Sequence, residues 1–295
     1  MAAEPVVYIN GEFVPKAGAS VPLFDHGYLY GDGVFEGVRV YNGRVFRLDP
    51  HLERLLFSAR ALAFNTEEMT LESLRDAVLR TCRRNEHALG YIRITLSRGT
   101  GLGLDPKHID NAPRLVISTE QLALYHAALY EQGLTMVTCA TRVPSPDAID
   151  PRIKCTGKYI NNILAKMEAN RVGAGEGLML NAQGNVAEAT GDNLFVVKNG
   201  QIATPPPSAG CLKGITRQVA MELAEGMGVP VREENLTLYD VYTCDECFLT
   251  GTAAEIIPAV ALDNRPLGTG TPGDLTRRLI GAFRAHTAEN GTPVG

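Results

Sequence analysis

Hydrophobic positions recur along this chain with two periods, and the places where one gives way to the other outline its elements. Residues 91–98 (YIRITLSR), 114–120 (RLVISTE) and 134–143 (LTMVTCATRV) form strand-like runs of β-branched and apolar side chains. Three Asn-Gly pairs, Asn10 with Gly11, Asn42 with Gly43 and Asn199 with Gly200, stand between apolar or β-branched runs. Both central residues of a type I′ turn need positive φ, which Asn and Gly tolerate, so each pair predicts an antiparallel hairpin. Elsewhere the spacing lengthens to three and four. Leu52, Leu55, Leu56, Ala59 and Leu62 predict a helix opening with Asp49 as N-cap and Pro50 in its first turn. Leu71, Leu74, Ala77, Val78 and Cys82 repeat the arrangement. Ile160, Ile163, Leu164 and Met167 mark another amphipathic helix, and Val219, Leu223 and Met227 mark one closing at Gly228 and Pro230. Hairpins mixed with helices, without strict alternation, predict an α+β fold.

Length turns this pattern into a division. A single core stops growing near 295 residues, and chains of that size split. With sheet in both halves, the predicted domains are residues 1–122 and 135–295, connected through 123–134 within QLALYHAALYEQGL. The proline-rich stretch 204–210 (TPPPSAG) reads as a positioned loop ahead of a helix rather than a linker.

Composition excludes several classes. With 45% hydrophobic and 21% charged residues, the chain has the make-up of an ordinary globular protein. A net charge of −5 and no block of Lys or Arg argue against nucleic acid. No stretch approaches the ~18 apolar residues of a membrane span, and the start lacks a basic segment followed by an apolar run, so a cytoplasmic protein is expected. Six scattered cysteines are expected as free thiols. Cys244 and Cys247 make one CxxC, but the pair leads into a strand-like CFLTG with no further ligands nearby, so no metal site is expected.

Several short motifs are suggestive, and each alone also has an ordinary structural reading. Gly31, Gly33 and Gly37 resemble a dinucleotide loop, yet VFEGVRVYNG continues as strand into a hairpin, so relief of backbone crowding fits better. Gly214, Ile215, Thr216 and Arg217 open a helix whose free N–H groups suit a phosphate, although a starting Thr is more often a cap. Gly251, Thr252, Ala253 and Ala254 form a small-residue turn open to a carboxylate or phosphate, or simply a strand-to-helix turn. Lys154, flanked by Ile153 and Cys155, is a candidate Schiff-base lysine with Lys158 as rival. Glu188 and Arg54, read alone, are a surface carboxylate and a snorkelling cation.

Together these pieces match one family in order and spacing along nearly the whole chain. The segments FDHGYLYGDGVFEGVRVYNG, HLERLLFSA, YIRITLSRGTGLGLDP, PRIKCTGKYINNILAKMEAN, GNVAEATGDNLFVVKNG, LKGITRQ and ECFLTGTAAEI resemble those of the fold-type IV pyridoxal phosphate enzymes, specifically the branched-chain amino acid aminotransferases. The resemblance implies a D-amino acid aminotransferase-like fold: a small N-terminal α/β domain and a larger C-terminal domain with a sheet or barrel and helices. It implies ping-pong transfer of an amino group between leucine, isoleucine or valine and 2-oxoglutarate, with pyridoxal 5′-phosphate as cofactor.

By the same resemblance Lys154 holds the cofactor and moves the proton, and Glu188 pairs with the pyridine nitrogen. Arg54, Ile215, Thr216 and Thr252 hold the phosphate, and Tyr159 reaches the ring oxygen. Thr252 and Ala253 receive the substrate α-carboxylate, while Tyr30, Phe35 and Tyr91 wall an apolar pocket. Arg93 pairs with the distal carboxylate when glutamate is bound. A homodimer is implied, with the early tyrosine and residues 101–104 supplied by the partner subunit. One departure stands out: Lys158 replaces an Asn usual in relatives, in a segment one residue longer. A D-amino acid aminotransferase of the same fold is expected to carry Arg and His shortly after Arg98 and Gly99, where TGLGLD has neither. An aminodeoxychorismate lyase shares GITRQ and GTAAE, but Tyr91 and Arg93 favour the branched-chain reading. A catalytically silent relative is expected to have lost Lys154 or Glu188, and both are present.

Overall fold

The computed structural model describes residues 4–86, 90–110, 112–121 and 125–295. The chain divides into two compact units: the described residues of Met1–Leu122 with Ile153–Lys158 and Thr287–Gly295, and those of Ala123–Arg152 with Tyr159–His286. Of the expected connection over 123–134, residues 123 and 124 lie outside the described residues, as does neighbouring 122. The short segment carrying Lys154 groups with the first unit, although it lies far beyond residue 122 in sequence.

In the first unit the strands are β1 (Val6–Ile9), β2 (Glu12–Pro15), β3 (Gly33–Tyr41), β4 (Arg44–Val45), β5 (Gly90–Ser97) and β6 (Arg114–Glu120). Its helices are α1 (His26–Tyr30), α2 (Leu48–Ala61) and α3 (Leu71–Asn85). With the terminal strand Thr292–Pro293 they make a seven-stranded antiparallel sheet, ordered Thr292–Pro293, β4, β3, β5, β6, β1, β2. Alternation sends Val34, Val38, Val40, Ile92, Ile94 and Leu96 to one face, where Leu52, Leu55, Leu56 and Ala59 of α2 are buried. Leu74, Ala77, Val78 and Cys82 of α3 are buried as the spacing predicts. Burying each of the valines, leucines and isoleucines among these stabilises by about 1.5–3 kcal/mol.

The second unit contains α4 (Ala128–Gln132), β7 (Leu134–Thr138), α5 (Tyr159–Arg171), β8 (Glu176–Leu180), β9 (Val186–Ala189), β10 (Asn193–Lys198), β11 (Gln201–Thr204) and α6 (Ile215–Gly226). It continues with β12 (Val231–Glu233), α7 (Leu238–Tyr242), β13 (Glu246–Gly251), β14 (Glu255–Leu262) and α8 (Asp274–Glu289). The sheet runs β12, β11, β10, β13, β14, β7, β8, β9, with a short strand Arg265–Pro266 on β14. It mixes parallel and antiparallel pairs, and β9 returns against β10, so the sheet curls toward a half-barrel. The expected α+β class is borne out.

All three Asn-Gly pairs turn hairpins, with φ of 45° and 98° at Asn10 and Gly11, 50° and 70° at Asn42 and Gly43, and 52° and 74° at Asn199 and Gly200. Other expectations are corrected. Helix α2 starts at Leu48, so Asp49 is not its cap; its carboxylate instead takes two 2.8 Å bonds from Arg75. The strand expected over 134–143 ends at Thr138, because the Ala140 and Thr141 N–H groups turn aside to the Glu168 carboxylate. On α5 the predicted apolar stripe faces out: Ile160 is 64% and Ile163 60% exposed, with Leu164 and Met167 also exposed. The buried face holds Asn162, Ala165 and Ala169, whose small side chains let the helix lie close to the sheet. Residues 252–254 turn between strands β13 and β14, not from strand to helix.

Candidate active site

In the first unit, Phe35, Gly37 and Arg39 share the second face of β3 with their partners Thr95, Arg93 and Tyr91 on β5. A Cβ at Gly37 would collide with the Tyr91 ring and hydroxyl, so glycine makes room for the tyrosine. The Arg93 guanidinium stacks 3.6 Å from the Phe35 ring centroid. Near its start β3 has an edge that β4 does not cover, and residues 153–158 dock there. Phe35 N–H donates to Lys154 C=O (3.1 Å), Thr156 N–H to Gly33 C=O (2.8 Å) and Gly157 N–H to Gly31 C=O (3.1 Å). Gly31, at φ 69°, is required twice, since a Cβ would also come within 2.9 Å of Gly157 Cα. Lys154 N–H donates to Ser58 Oγ (3.1 Å), so both backbone groups of the lysine are fixed, and its Nζ lies 4.7 Å from the Phe35 centroid. Lys158 is buried further along the same segment. Tyr30 has its contacts elsewhere in the unit: its hydroxyl accepts from Gly103 N–H (3.0 Å), and its ring packs on His26.

Beneath this face is a cluster that the motifs did not single out. Glu36 is fully buried and takes a bidentate pair from Arg54, Nε to Oε1 at 2.7 Å and Nη2 to Oε2 at 2.8 Å. His51, one helical turn before Arg54, donates from Nδ1 to Oε2 at 2.7 Å. Burial pushes the Glu36 carboxyl upward, but the Arg54 and His51 charges outweigh it and hold it at about 2. Burial lowers the pKa of His51, Glu36 only partly restores it, and the Arg54 and Lys154 cations lower it further. The outcome is an anion that orients Arg54 by a planar fork. A glutamate inside the apolar run VFEGV, on the side of the strand that faces the core, was the signal for it.

In the second unit Glu188 lies buried on β9, and its Oε2 accepts from Leu212 N–H at 2.7 Å. Two residues after Leu212, Gly214 is the N-cap of α6, with no side chain capping the helix. Thr216 is thus inside the first turn, which corrects its reading as a cap. The first-turn N–H groups have no intrahelical acceptor, and with the macrodipole they form an anion station. Ile215 opens the same helix, and Tyr159 opens α5. Thr252 and Ala253 lie in the turn after β13, which rejoins the ladder at Glu255 with φ 60°.

A second buried acidic cluster was also missed. The Tyr125 hydroxyl reaches Glu176 Oε2 (2.9 Å) and Asp192 Oδ2 (3.3 Å), and Lys166 Nζ lies 3.2 Å from Glu176 Oε2. Burial, reinforced by the Glu176 charge, pushes Asp192 up to about 7. Cys244 and Cys247 are both buried, and burial pushes the Cys244 thiol up to about 12, far from the thiolate that ligation or redox chemistry needs. Among the described residues no group of three or more His, Cys, Asp or Glu is placed to hold a metal ion.

Residues 33–262 match the family described as amino-transferase class IV. The chain belongs to the class IV aminotransferases. It is similar to a putative branched-chain-amino-acid aminotransferase of Methanocaldococcus jannaschii, 44% identical over 279 residues that cover 94% of this chain and 95% of the relative. It is also similar to the branched-chain-amino-acid aminotransferase of Escherichia coli K12, 34% identical over 282 residues, 94% of this chain and 91% of that one. Among solved structures, an E. coli branched-chain amino acid aminotransferase superposes with a TM-score of 0.93 at 32% identity, covering 98% of this chain and 96% of that one. The branched-chain amino acid aminotransferase of Thermobaculum terrenum, in its PLP-bound holo-form, gives 0.89 at 28% identity over 100% of both chains. These relatives bear out the resemblance to the branched-chain aminotransferases and an aminotransferase activity.

Proposed function

We propose that the chain uses pyridoxal 5′-phosphate to exchange an amino group between leucine, isoleucine or valine and 2-oxoglutarate, in a ping-pong sequence with Lys154 as the covalent lysine. The observation that carries this reading is the cluster at Phe35. An amine fixed by its backbone and a guanidinium share one aromatic ring, and Arg93 meets no carboxylate among the described residues, its contacts being Phe35 and the Thr95 hydroxyl at 3.4 Å. A cation of that kind suits the distal carboxylate of glutamate, while the ring suits an aliphatic side chain.

The residues present fit the cofactor. Gly214 stands at the N-cap of α6 and no side chain caps the first-turn N–H groups, the arrangement that suits a phosphate. When bound, pyridoxal phosphate supplies an electron sink for the substrate's Cα electrons. In this reading Arg54, held by Glu36, binds phosphate, as do the Ile215 and Thr216 N–H groups, the Thr216 hydroxyl and Thr252. Glu188 holds a proton at the pyridine nitrogen, and Tyr159 orients the ring oxygen. Thr252 and Ala253 N–H groups receive the α-carboxylate. Phe35 and Tyr91 line the side-chain pocket, which the partner subunit's Tyr30 completes. Lys154 Nζ moves the proton to and from the substrate's Cα.

The same reading includes a homodimer in the cytoplasm. Leu23, Phe24, Tyr28, Leu102 and Leu104 are exposed apolar side chains on two segments that the Gly103–Tyr30 bond ties together, a pattern that favours a protein partner. Six free, buried cysteines suit a reducing compartment.

The test is an absorbance spectrum of the purified protein before and after L-leucine, then 2-oxoglutarate, with D-alanine in parallel. Loss of the cofactor band with L-leucine and its return with the keto acid are expected; a response to D-alanine alone would refute the L-branched-chain assignment. Lys154→Ala is expected to lose both the lysine-bound band and turnover, by a factor of at least about 10⁴. Retained activity in that variant moves the covalent role to Lys158.

A further inference from the structure

We propose that Asn193 is a positioning residue that locks the Glu188 carboxylate and the start of α6 into one rigid piece through the peptide groups of Leu212. The inference rests on the proposed cofactor and deepens it. Leu212 is held from both sides: its N–H donates to Glu188 Oε2 at 2.7 Å, and its C=O accepts from Asn193 Nδ2 at 2.8 Å. The other end of the same amide lies against the helix cap, since a Cβ at Gly214 would meet Asn193 Oδ1. Asn193 is 5% exposed and pairs across the ladder with Thr250, two residues before Thr252. One side chain therefore touches the segment entering α6 and stands on the strand pair that leads into the 252–254 turn.

Residues 205–214 have no strand partner; a short backbone-bonded turn over Pro207–Ala209 is supplemented by side-chain bonds. Asn181 Nδ2 donates to Ala209 C=O (3.0 Å), Arg217 Nη2 to Pro205 C=O (3.0 Å) and Cys211 Sγ to Pro205 C=O (3.4 Å). Unlike these bonds, the one from Asn193 acts two residues from the N-cap and on the same residue that Glu188 binds. Without it, the half-buried Leu212 carbonyl loses its donor, and the aim of the first-turn N–H groups is no longer tied to Glu188. The consequence falls on retention of the cofactor more than on binding of the amino acid.

Asn193→Asp keeps the shape and removes the donor; Asn193→Ala removes both. Each is expected to raise the pyridoxal phosphate dissociation rate of the holoenzyme by about 10- to 100-fold. Each is also expected to shift and broaden the ³¹P resonance of the bound phosphate while leaving the leucine KM at saturating cofactor within about 3-fold of wild type. Thr204→Val is the control, because Thr204 is fully buried and donates from Oγ1 to Leu194 C=O at 2.8 Å and not to Leu212. It is expected to lower the melting temperature without moving the ³¹P signal. The inference is overturned if both Asn193 variants retain cofactor as wild type does, or if Thr204→Val loses it equally for the same loss of stability. A wild-type protein that takes up no pyridoxal phosphate at all overturns the proposed function, and this inference with it.

Discussion

Each unit buries a carboxylate, Glu36 in the first and Asp192 in the second, and their neighbours treat them in opposite ways. Glu36 meets the Arg54 fork and His51, whereas Asp192 shares the Tyr125 hydroxyl with Glu176. Burial pushes both carboxyls upward. Opposite charge then brings Glu36 down to about 2, and like charge helps carry Asp192 up to about 7. Depth sets the stakes, but the sign of the nearest charge decides which protonation state survives. The first cluster is a fixed anion that aims a cation. The second keeps a proton on Asp192 up to about pH 7, because burial and the Glu176 charge both disfavour its anion.

The comparison breaks most severely at Glu36→Gln. The substitution takes the buried Glu36 charge away from the Arg54 fork, and removing one partner of a buried pair costs up to about 3–5 kcal/mol. Urea unfolding at pH 7 measures it, and a loss below about 1 kcal/mol would mean that the fork is dispensable. The pH dependence carries the sign. With the folded pKa below the ordinary 4.5, the contribution is fully present above pH 4.5 and is lost as pH falls toward about 2. That acid limb, worth about 3 kcal/mol, is expected to be absent from the variant.

Asp192→Asn is expected to act in the opposite direction. An acid whose folded pKa is raised keeps a proton that the unfolded chain has released, so stability falls as pH rises from 3.8 through about 7 and then levels off. The amide carries no charge and can still bond Tyr125. The variant is therefore expected to match wild type near pH 4 and to exceed it above pH 7, by about 2 kcal/mol and at most about 4. Thermal melts at pH 4, 6 and 8 decide the matter: a gap that does not widen with pH removes the like-charge account.

What could be read from the chain and what could not divide along the same physical line. The Asn-Gly hairpins were legible because positive φ is a demand of two adjacent residues. The apolar stripes of α2 and α3 were legible because 3.6-residue spacing is local as well. On α5 the stripe was legible but its direction was not, since periodicity marks a face without saying what covers it. Asp49 failed as a cap because the helix already starts at Leu48, which leaves Asp49 inside the first turn with its carboxylate on Arg75, twenty-six residues away. Glu36 with His51, and Glu176 with Asp192, are pairings across strands and helices. In sequence each resembled one more polar position. Lys154 and Thr216 were only suggestive alone, and Arg54 and Glu188 stood out only as members of joined motifs; the bonds that hold Lys154, Arg54 and Glu188 were visible only in the fold.

The smallest expected effect sharpens the contrast within the first unit. Arg54 has its own carboxylate in Glu36, while Arg93 has an aromatic face and a hydroxyl and no carboxylate among the described residues. If neutralisation by a resident anion separates an orienting cation from a substrate-binding one, the two arginines answer differently to loss of charge. Arg93→Met keeps an apolar side chain over Phe35 and removes only the guanidinium. The KM for 2-oxoglutarate is then expected to rise about 10- to 100-fold, equivalent to about 1.4–2.8 kcal/mol, while that for leucine changes less than about 3-fold. Initial-rate kinetics with each substrate varied against saturating partner measures the split. Equal increases for both would assign Arg93 to the shape of the pocket, and an unchanged 2-oxoglutarate KM would remove it from substrate recognition altogether.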